Sequence, residues 1–377
     1  MGFSILQPGR ILFGRGVAAQ AVDVVRGFGG RVLLVHGAAA ARADWLADGL
    51  TAQGAVVTRL SCGAEPTLEG LTAALAIGRA AAPDVVVALG GGAVMDLGKA
   101  LAALIPAPGD PMDHLEVVGK GLPLTVDPIP FVALPTTSGT GAEVTKNAVV
   151  GLPEHGRKVS LRDDRMIARV AIVDPALTDH CPRGVTLASG LDALTQVIEP
   201  YVSCKANAYT DAITLPAIAP GLAALMRLME GEDAAARDAL AWTSIVGGLA
   251  LANAGLGAVH GFAGVIGGTT GAAHGAICGA LLGPVLAMNR ARTEGAARAR
   301  LDQVCAILGD GLGVPAADAP QALTAWARAA GLPRLADLGL DPATHPAVAE
   351  ASQITSSMKG NPVALSVHDL TAVLDQA

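Results

Sequence analysis

The feature that most constrains the fold is a long central segment, residues 239–289, without a single charged side chain. Such a segment either fills a protein interior or crosses a membrane, and a spanning helix needs roughly 20 predominantly apolar residues. This one is long enough, but glycines, Asn253, His260 and His274 interrupt it. It has neither an aromatic belt nor a flanking cluster of positive charge, both of which are typical of membrane helices. We therefore expect a helical core buried in protein, and no membrane partner.

Length and composition set the scale of the molecule. A chain of 377 residues is too long for one ordinary core and predicts two domains. Aromatic residues make up only 3% while glycine numbers 47, so the core must consist of small aliphatic side chains in close contact. The formal net charge is −7 and no block of Lys or Arg occurs, which argues against nucleic acid as a partner.

The cysteines and the N-terminal residues indicate the compartment. Five cysteines, an odd number without CxxC spacing, are expected to be free buried thiols in a reducing environment. No basic region followed by an apolar stretch occurs at the start of the chain, so we expect no signal peptide. We expect a cytoplasmic homo-oligomer, specifically a dimer.

The first half of the chain alternates short apolar runs with helical segments, which is typical of a doubly wound α/β domain. The predicted strands are residues 31–36, 56–60, 84–89 and 131–134, and the predicted helices include 38–53 and 68–82. After Asp174-Pro175 the strand signal ends, and helical segments rich in Ala, Leu and Gly continue to the C-terminus. We predict an α/β domain over residues 1–182 and an all-α domain over residues 183–377.

Three glycines follow the third predicted strand directly. Gly90-Gly91-Gly92 separates that strand from a helix that begins near Ala93, where bare backbone N–H groups and a helix N-terminus suit a phosphate. A tight strand-to-helix turn is the alternative interpretation. The spacing is neither GxGxxG nor that of a P-loop.

A second polar loop follows the last predicted strand. Its residues are Thr136-Thr137-Ser138-Gly139-Thr140-Gly141, whose hydroxyl groups and bare backbone suit ribose, phosphate or an amide. In open α/β sheets, ligands collect at the carboxyl ends of strands. Two such loops in one domain favour nucleotide binding over two unrelated turns.

Polar and ionisable residues in the second half of the chain form a candidate metal site. Asp192 and Gln196 are four residues apart and share one face of a helix, with Glu199 close by in sequence. His260 and His274 would lie about 21 Å apart on one continuous helix, too far to share an ion. The glycines between them can break the helix and fold the second histidine back. A hydrogen-bonded core histidine is the alternative for each.

Together these segments resemble the iron-containing alcohol dehydrogenase superfamily over nearly the whole chain. The matching segments, in the family's order, are GGGAVMDLGKA at 90–100, LPTTSGTGAEVTKNAVV at 134–150, IVDPALT at 172–178, GLDALTQVIE at 190–199, HGFAGVIGGTTGAAHG at 260–275 and Asn361-Pro362. The resemblance implies a Rossmann-like α/β domain followed by an all-α domain. It also implies an NAD(P)-dependent oxidoreductase that interconverts a small alcohol and its aldehyde or ketone.

The resemblance implies a set of cofactor-binding residues. They are Gly90, Gly91, Gly92, Asp96, Thr136, Thr137, Thr140, Asn147 and Lys158. Family members that prefer NAD often carry an Asp after the first strand, where this chain has His36-Gly37-Ala38. No acid is present there to repel a 2′-phosphate, so we expect either NAD or NADP.

The family's divalent ion is usually held by an Asp, a His four residues later, and two His fourteen residues apart. Asp192, His260 and His274 match three of these positions, whereas Gln196 stands at the fourth and Gly264 replaces a further pocket histidine. An amide oxygen is a weaker ligand than imidazole for Zn²⁺ or Fe²⁺. A three-ligand site with an open position is still chemically sound. We predict bound Fe²⁺ or Zn²⁺, with Gln196 as a weak fourth partner.

Two mechanisms remain open for the expected carbonyl chemistry. With an ion, Lewis acidity stabilises negative charge that develops on the substrate oxygen. Without one, His260 or His274 would be the catalytic group that donates a hydrogen bond or proton to that oxygen. The second case resembles maleylacetate reductases, which are similar in sequence and are thought to work without metal. A nucleotide-binding protein that has lost catalysis is the alternative from a different class.

Overall fold

The chain divides into two units, each with its own core, in a computed structural model that describes residues 2–377. The α/β unit consists of Leu6–Thr137 and Ala142–Asp179. The helical unit consists of His180–Ala377 with two short segments, residues 2–5 and Ser138–Gly141.

The segment Ser138–Gly141 departs from the continuous division predicted at residue 182. It belongs to the helical unit because its glycines lie directly against helices of that unit. A Cβ atom on Gly139 would lie 2.7 Å from Ser189 Cβ, and one on Gly141 would lie 2.5 Å from the Ser244 carbonyl oxygen. The predicted boundary itself stays a prediction.

The α/β unit contains eight strands and five α-helices. The strands are β1 (Arg10–Phe13), β2 (Arg31–Gly37), β3 (Val56–Cys62), β4 (Val85–Gly90), β5 (Phe131–Pro135), β6 (Asn147–Leu152), β7 (Arg157–Arg162) and β8 (Val170–Val173). The helices are α1 (Ala21–Arg26), α2 (Asp44–Ala52), α3 (Leu68–Ala81), α4 (Gly92–Leu104) and α5 (Pro111–His114).

Six of these strands form one parallel sheet, in the order β1-β8-β5-β4-β2-β3. Successive residues of β4 enter cores on opposite faces, Val86 and Ala88 on one and Val85 and Val87 on the other. The sheet is thus covered on both faces, and the predicted Rossmann-like α/β class is confirmed. The strand order reverses between β2 and β4, which places the expected ligand crevice at their carboxyl ends.

Four short strands were not predicted from the sequence. β1 and β8 are only four residues long, and β6 and β7 form an antiparallel hairpin rather than part of the main sheet. A hairpin strand buried on one face alternates apolar and polar residues, which is a weaker signal than the continuous apolar runs of a central parallel strand. β6 shows this alternation in its burial.

The helical unit contains nine helices of four or more residues within the part of the chain that the structure describes. They are α6 (Arg183–Val202), α7 (Ala208–Glu230), α8 (Ala234–Ala254), α9 (Ala258–Thr270), α10 (His274–Arg292), α11 (Gly295–Leu312), α12 (Ala319–Ala329), α13 (His345–Gln353) and α14 (Val367–Leu374). The predicted helical C-terminal region is confirmed.

The charge-free segment spans most of α8, all of α9 and most of α10 rather than one long helix. Gly255 and Gly271 adopt left-handed backbone conformations, with φ of 67° and 70°, and each ends a helix. α8 and α9 meet at a bend of 99°. This pair would be long and apolar enough to cross a membrane if counted as one span, and so would α7 alone. Core helices of globular proteins pass the same test, so the expected absence of a membrane partner stays a prediction.

All five cysteines are free, but they are not all buried. Cys62, Cys181, Cys278 and Cys305 are buried, whereas Cys204 is exposed just after the end of α6. The expectation of five buried thiols is therefore wrong at Cys204, which lies in a surface turn between two helices.

Helix α4 packs onto the sheet through a glycine. A Cβ atom on Gly98 would lie 2.8 Å from Phe131 Cε2 and 2.9 Å from Ala88 Cβ.

We predict that Gly98→Ala lowers the Tm, because such overpacking costs about 1–3 kcal/mol and offsets the usual gain of Ala over Gly in a helix, about 1 kcal/mol. The matched control is Gly70→Ala on the exposed face of α3, whose nearest neighbour would be Thr67 Oγ1 at 3.4 Å. A Tm that rises equally in both variants would contradict the close packing of α4.

Candidate functional site

The two predicted loops meet at the carboxyl edge of the parallel sheet. The Thr136 N–H donates a hydrogen bond to the Gly90 carbonyl at 2.9 Å. Gly91 precedes α4, and a Cβ atom there would lie 3.3 Å from Thr137 Oγ1. The first backbone N–H groups of a helix have no partner within it, so this edge offers donors to an anion. Among the predicted cofactor residues, the structure brings together Gly90, Gly91, Gly92, Thr136 and Thr137.

Asp96 lies one turn into α4, within a network of buried charges. Lys99 Nζ lies 3.5 Å from Asp96 Oδ1 and donates to Thr145 Oγ1 at 2.8 Å. Burial lowers the pKa of Lys99. It raises the pKa of Asp96 to about 6 and the pKa of Glu143 to about 7, although the positive charge of Lys99 acts to lower both. These groups tie α4 to the segment that follows β5.

The other predicted cofactor residues lie on separate elements. Asn147 begins β6, and Lys158 lies on β7 with its Nζ 2.5 Å from a Glu65 carboxylate oxygen. Thr140 belongs to the segment Ser138–Gly141 of the helical unit. Contact of these three residues with a cofactor stays a prediction.

Three of the predicted metal residues converge inside the helical unit. His260 Nε2 lies 3.2 Å and His274 Nε2 lies 3.8 Å from Asp192 Oδ1, and the two imidazole centroids are 5.3 Å apart. Asp192 is only 1% exposed, His260 is 9% exposed, and the His274 side chain is 34% exposed. The structure therefore has one buried carboxylate facing two imidazoles, of which only that of His274 is open to solvent.

Glycines allow this convergence. α9 ends at Thr270, and Gly271 reverses the chain so that α10 begins at His274. A Cβ atom on Gly275 would lie 2.5 Å from the Ala188 carbonyl oxygen, so the start of α10 packs against the backbone of α6. Ala188 is one helical turn before Asp192, which brings His274 alongside that carboxylate.

Glu199 holds α9 and orients His260. Glu199 Oε1 accepts the Val259 N–H at 2.7 Å, and Glu199 Oε2 lies 2.7 Å from His260 Nδ1. With the Nδ1 proton donated to Glu199, Nε2 is the nitrogen left for a cation, and it faces Asp192 at 3.2 Å. Asn361, from the closing Asn361-Pro362 motif, accepts the Ala258 N–H at 3.2 Å and so caps the same helix.

The clustered residues shift one another's pKa values. Burial acts to lower the pKa of each histidine, but the Cys278 sulfur and Asp192 outweigh it. The pKa of His274 rises to about 9, and that of His260 rises well above its ordinary value, with a further contribution from Glu199. Burial acts to raise the pKa of Asp192, but His274, His260 and Cys278 lower it below the ordinary range.

Gln196 lies near these residues but its amide has another partner. Its Nε2 donates to the Gly139 carbonyl at 3.2 Å, and its Oε1 is buried with no hydrogen-bond partner among the described residues. α8 packs closely here, since a Cβ atom on Gly247 would lie 2.8 Å from Gln196 Cβ. Its role as a metal partner stays a prediction.

The sequence analysis missed Cys278 at this site. Cys278 offers a sulfur that, with one atom each from Asp192, His260 and His274, forms a group whose members all lie within 4.8 Å of one another. The available signal was its spacing, four residues after His274 and so on the same face of a helix.

The chain is similar to known proteins over nearly its whole length. The model of the iron-containing alcohol dehydrogenase family matches residues 8–175, and that family's C-terminal model matches residues 186–377. A probable alcohol dehydrogenase EutG of Salmonella typhimurium is 34% identical over 84% of this chain and 79% of its own length. The NAD-dependent methanol dehydrogenase of Bacillus methanolicus is 32% identical over 78% of this chain and 77% of its own. The crystal structure of a 1,3-propanediol oxidoreductase covers both chains completely, with a TM-score of 0.88 and 28% identity.

The buried Glu143 predicts a pH-dependent stability difference. Its pKa rises from the ordinary 4.5 to about 7 on folding because of burial, so the folded state keeps a proton that the unfolded state loses. Stability is therefore lost as the pH rises through this window and stays lower above it. We predict that Glu143→Gln raises the Tm relative to wild type more at pH 8 than at pH 4.5, measured by thermal unfolding. The control is Glu154→Gln at an exposed turn. A difference that does not change with pH would contradict the buried-acid account.

Proposed function

The chain belongs to the iron-containing alcohol dehydrogenase family and is an oxidoreductase of CH–OH groups, and we propose that it works with NAD(P) and a bound divalent cation. The proposed reaction is reversible hydride transfer between the nicotinamide and a small alcohol or its aldehyde or ketone. The observation that carries the proposal is the convergence of Asp192, His260 and His274 in the helical unit. Among the enzymes to which the chain is similar, the methanol dehydrogenase and the 1,3-propanediol oxidoreductase act on small alcohols by their names, which supports a small substrate.

The residues present fit a divalent cation. Asp192 Oδ1 is buried and, although His260 Nε2 lies 3.2 Å away, it has no hydrogen bond of acceptable geometry among the described residues. A buried ionised carboxylate needs compensating charge. Two imidazoles and a carboxylate suit Zn²⁺ or Fe²⁺. When bound, the cation would supply Lewis acidity toward the substrate oxygen.

The chain's own residues prepare the site for that chemistry. Glu199 fixes the tautomer of His260 and its direction, and Asp192 supplies the anionic charge. His274 is the most exposed of the group, so it lies on the side from which a substrate or proton arrives. Asp192 and His260 are buried and so have little contact with water, which strengthens electrostatic interactions within the site.

The cofactor would bind at the carboxyl edge of the parallel sheet. The proposal rests on the contact between Gly90 and Thr136 and on the bare N-terminus of α4, both at strand ends next to the reversal of strand order. The pyrophosphate would accept hydrogen bonds from backbone N–H groups there. The nicotinamide supplies or accepts the hydride. The expected homodimer and cytoplasmic location stay predictions.

We predict that turnover depends on the cation. Protein freed of metal by a chelator should oxidise NADH or NADPH with short-chain aldehydes and ketones at least about a hundredfold more slowly than protein resupplied with Zn²⁺ or Fe²⁺, because losing Lewis-acid stabilisation costs several kcal/mol. His274→Ala should weaken both cation retention and kcat/KM, whereas His368→Ala, at an exposed position of α14, should change neither.

Two outcomes would contradict this proposal. Full activity of the metal-free protein, together with oxidation of NADH by maleylacetate, would indicate the metal-independent reductase instead. Binding of NAD(P) without turnover of any alcohol or carbonyl compound would indicate a nucleotide-binding protein that has lost catalysis.

Gly37 at the end of β2 bears on the choice between NAD and NADP. It lies beside the reversal of strand order, its φ is outside the left-handed region, and a Cβ atom there would meet nothing within 4 Å. We predict that wild type uses NAD and NADP within about tenfold of each other, and that Gly37→Asp shifts the ratio of kcat/KM toward NAD by about tenfold or more, roughly 1.4 kcal/mol. The carboxylate would repel the 2′-phosphate of NADP.

The neutral substitution Gly37→Asn separates charge from size, because its side chain has the same shape. It should shift the ratio much less than Gly37→Asp. Equal shifts in both variants, or strong selectivity for NAD in wild type, would show that another part of the chain discriminates between the cofactors.

A further inference from the structure

We propose that the Cys278 sulfur is the fourth protein ligand of the divalent cation, in the role that the sequence analysis gave to Gln196. The inference rests on the proposed metal-assisted function and adds the class of the ion to it. A site with a thiolate belongs to thiophilic cations such as Zn²⁺, Co²⁺ and Fe²⁺ rather than to Mg²⁺ or Mn²⁺.

The position of Cys278 on α10 places it beside the site. His274 is the first residue of this helix and Cys278 follows one turn later, so the two side chains project from the same face. A Cβ atom on Gly279 would lie 2.7 Å from Leu191 Cδ1, which shows that this part of α10 also lies directly against α6. The packing that brings His274 to Asp192 therefore brings Cys278 there as well.

The distances fit one four-coordinate ion. Around a tetrahedral Zn²⁺ with one sulfur ligand and three nitrogen or oxygen ligands, neighbouring ligand atoms lie about 3.3–3.6 Å apart. Cys278 Sγ lies 3.6 Å from His274 Nε2 and 3.9 Å from His260 Nε2. Asp192 Oδ1 lies 3.2 and 3.8 Å from the same two nitrogens. These four of the six separations are within about 0.3 Å of the range for such a tetrahedron, and all four atoms lie within 4.8 Å of one another.

The alternative is that Cys278 is simply a buried core residue, as most free cysteines are. Cys305 is an example of such a core cysteine. It is 0% exposed on α11, and burial raises the pKa of its thiol. It is not a member of the cluster, whereas Cys278, equally buried, faces two imidazole nitrogens and a carboxylate. A core thiol needs no such polar neighbours.

Gln196 is the weaker candidate for the fourth position. Its Nε2 is committed to the Gly139 carbonyl, which fixes the rotation of the amide. Its oxygen is a neutral donor, whereas a thiolate brings a full negative charge and a softer atom. A metal-bound thiolate and a carboxylate together carry two negative charges, which balance a divalent cation. Zn²⁺ can expand to a fifth ligand, so a substrate oxygen still has a place.

Cobalt substitution tests the sulfur ligand directly. Full-length protein is freed of metal by a chelator and reloaded with Co²⁺, and its absorption spectrum is recorded. Wild type is expected to show an intense thiolate-to-cobalt charge-transfer band in the near ultraviolet. Cys278→Ser, which keeps the size of the side chain, should lose that band, and Cys305→Ala should keep it. Circular dichroism verifies that the variants are folded.

Metal affinity gives a second readout. Cys278→Ala should weaken Zn²⁺ binding by about tenfold or more, because loss of a direct ligand costs at least as much as loss of an outer partner. Cys278→Ala combined with Gln196→His should regain affinity without regaining the band, since a histidine at 196 lies on the same face of α6 as Asp192. Cys305→Ala should bind Zn²⁺ like wild type.

The outcomes separate this inference from the function on which it rests. If wild type binds one Co²⁺ without the sulfur band, and Cys278→Ala keeps wild-type affinity for Zn²⁺, the Cys278 ligand is wrong while the metal site stands. If wild type binds neither ion at saturating concentration, both the Cys278 ligand and the metal-assisted function are wrong.

Discussion

The rest of the helical unit depends on one buried carboxylate. Asp192 lies in the middle of α6 and is 1% exposed, and moving an ionised carboxylate out of water costs several kcal/mol unless opposite charge compensates it. The compensation comes from two other helices, through His260 on α9 and His274 on α10. Both helices must therefore begin near the same point on α6, and a bound cation would complete the neutralisation.

The surrounding structure holds the start of each of those two helices in a different way: polar contacts fix α9, and a bare glycine lets α10 come close to α6. Glu199 and Asn361 accept the first backbone N–H groups of α9, and Glu199 also orients His260. α10 instead approaches α6 at Gly275, where any side chain would push the two helices apart. The α/β unit uses the same device at Gly98, where α4 contacts the sheet. With so few aromatic residues, close contacts of this kind define the packing.

The sequence predicted the central strands well because parallel strands buried on both faces are continuous apolar runs. Predicted strand 31–36 became Arg31–Gly37, and 131–134 became Phe131–Pro135. The hairpin Asn147–Leu152 and Arg157–Arg162 went unpredicted because each strand is only six residues long and buries alternate positions rather than a continuous apolar run. The helix break between His260 and His274 was predictable because glycine accumulates there, and the structure has it at Gly271.

The site was less predictable than the fold, because its ligands come from distant parts of the sequence. Asp192, His260 and His274 were candidates by residue type and spacing, and the resemblance of motifs made them the predicted ligands. Cys278 matched no motif, and a thiol in an apolar helix is ordinarily a core residue. Its relevance depends on which face of α10 meets α6, and only the packing at Gly275 and Gly279 decides that. The partner of Gln196, the Gly139 carbonyl, likewise lies far away in sequence.

X-ray absorption spectroscopy of the zinc-loaded protein tests the central claim most directly, because it counts the atoms bound to the ion. The account predicts one sulfur at about 2.3 Å together with nitrogen and oxygen ligands at about 2.0–2.1 Å. A shell of nitrogen and oxygen alone would contradict the assignment of Cys278.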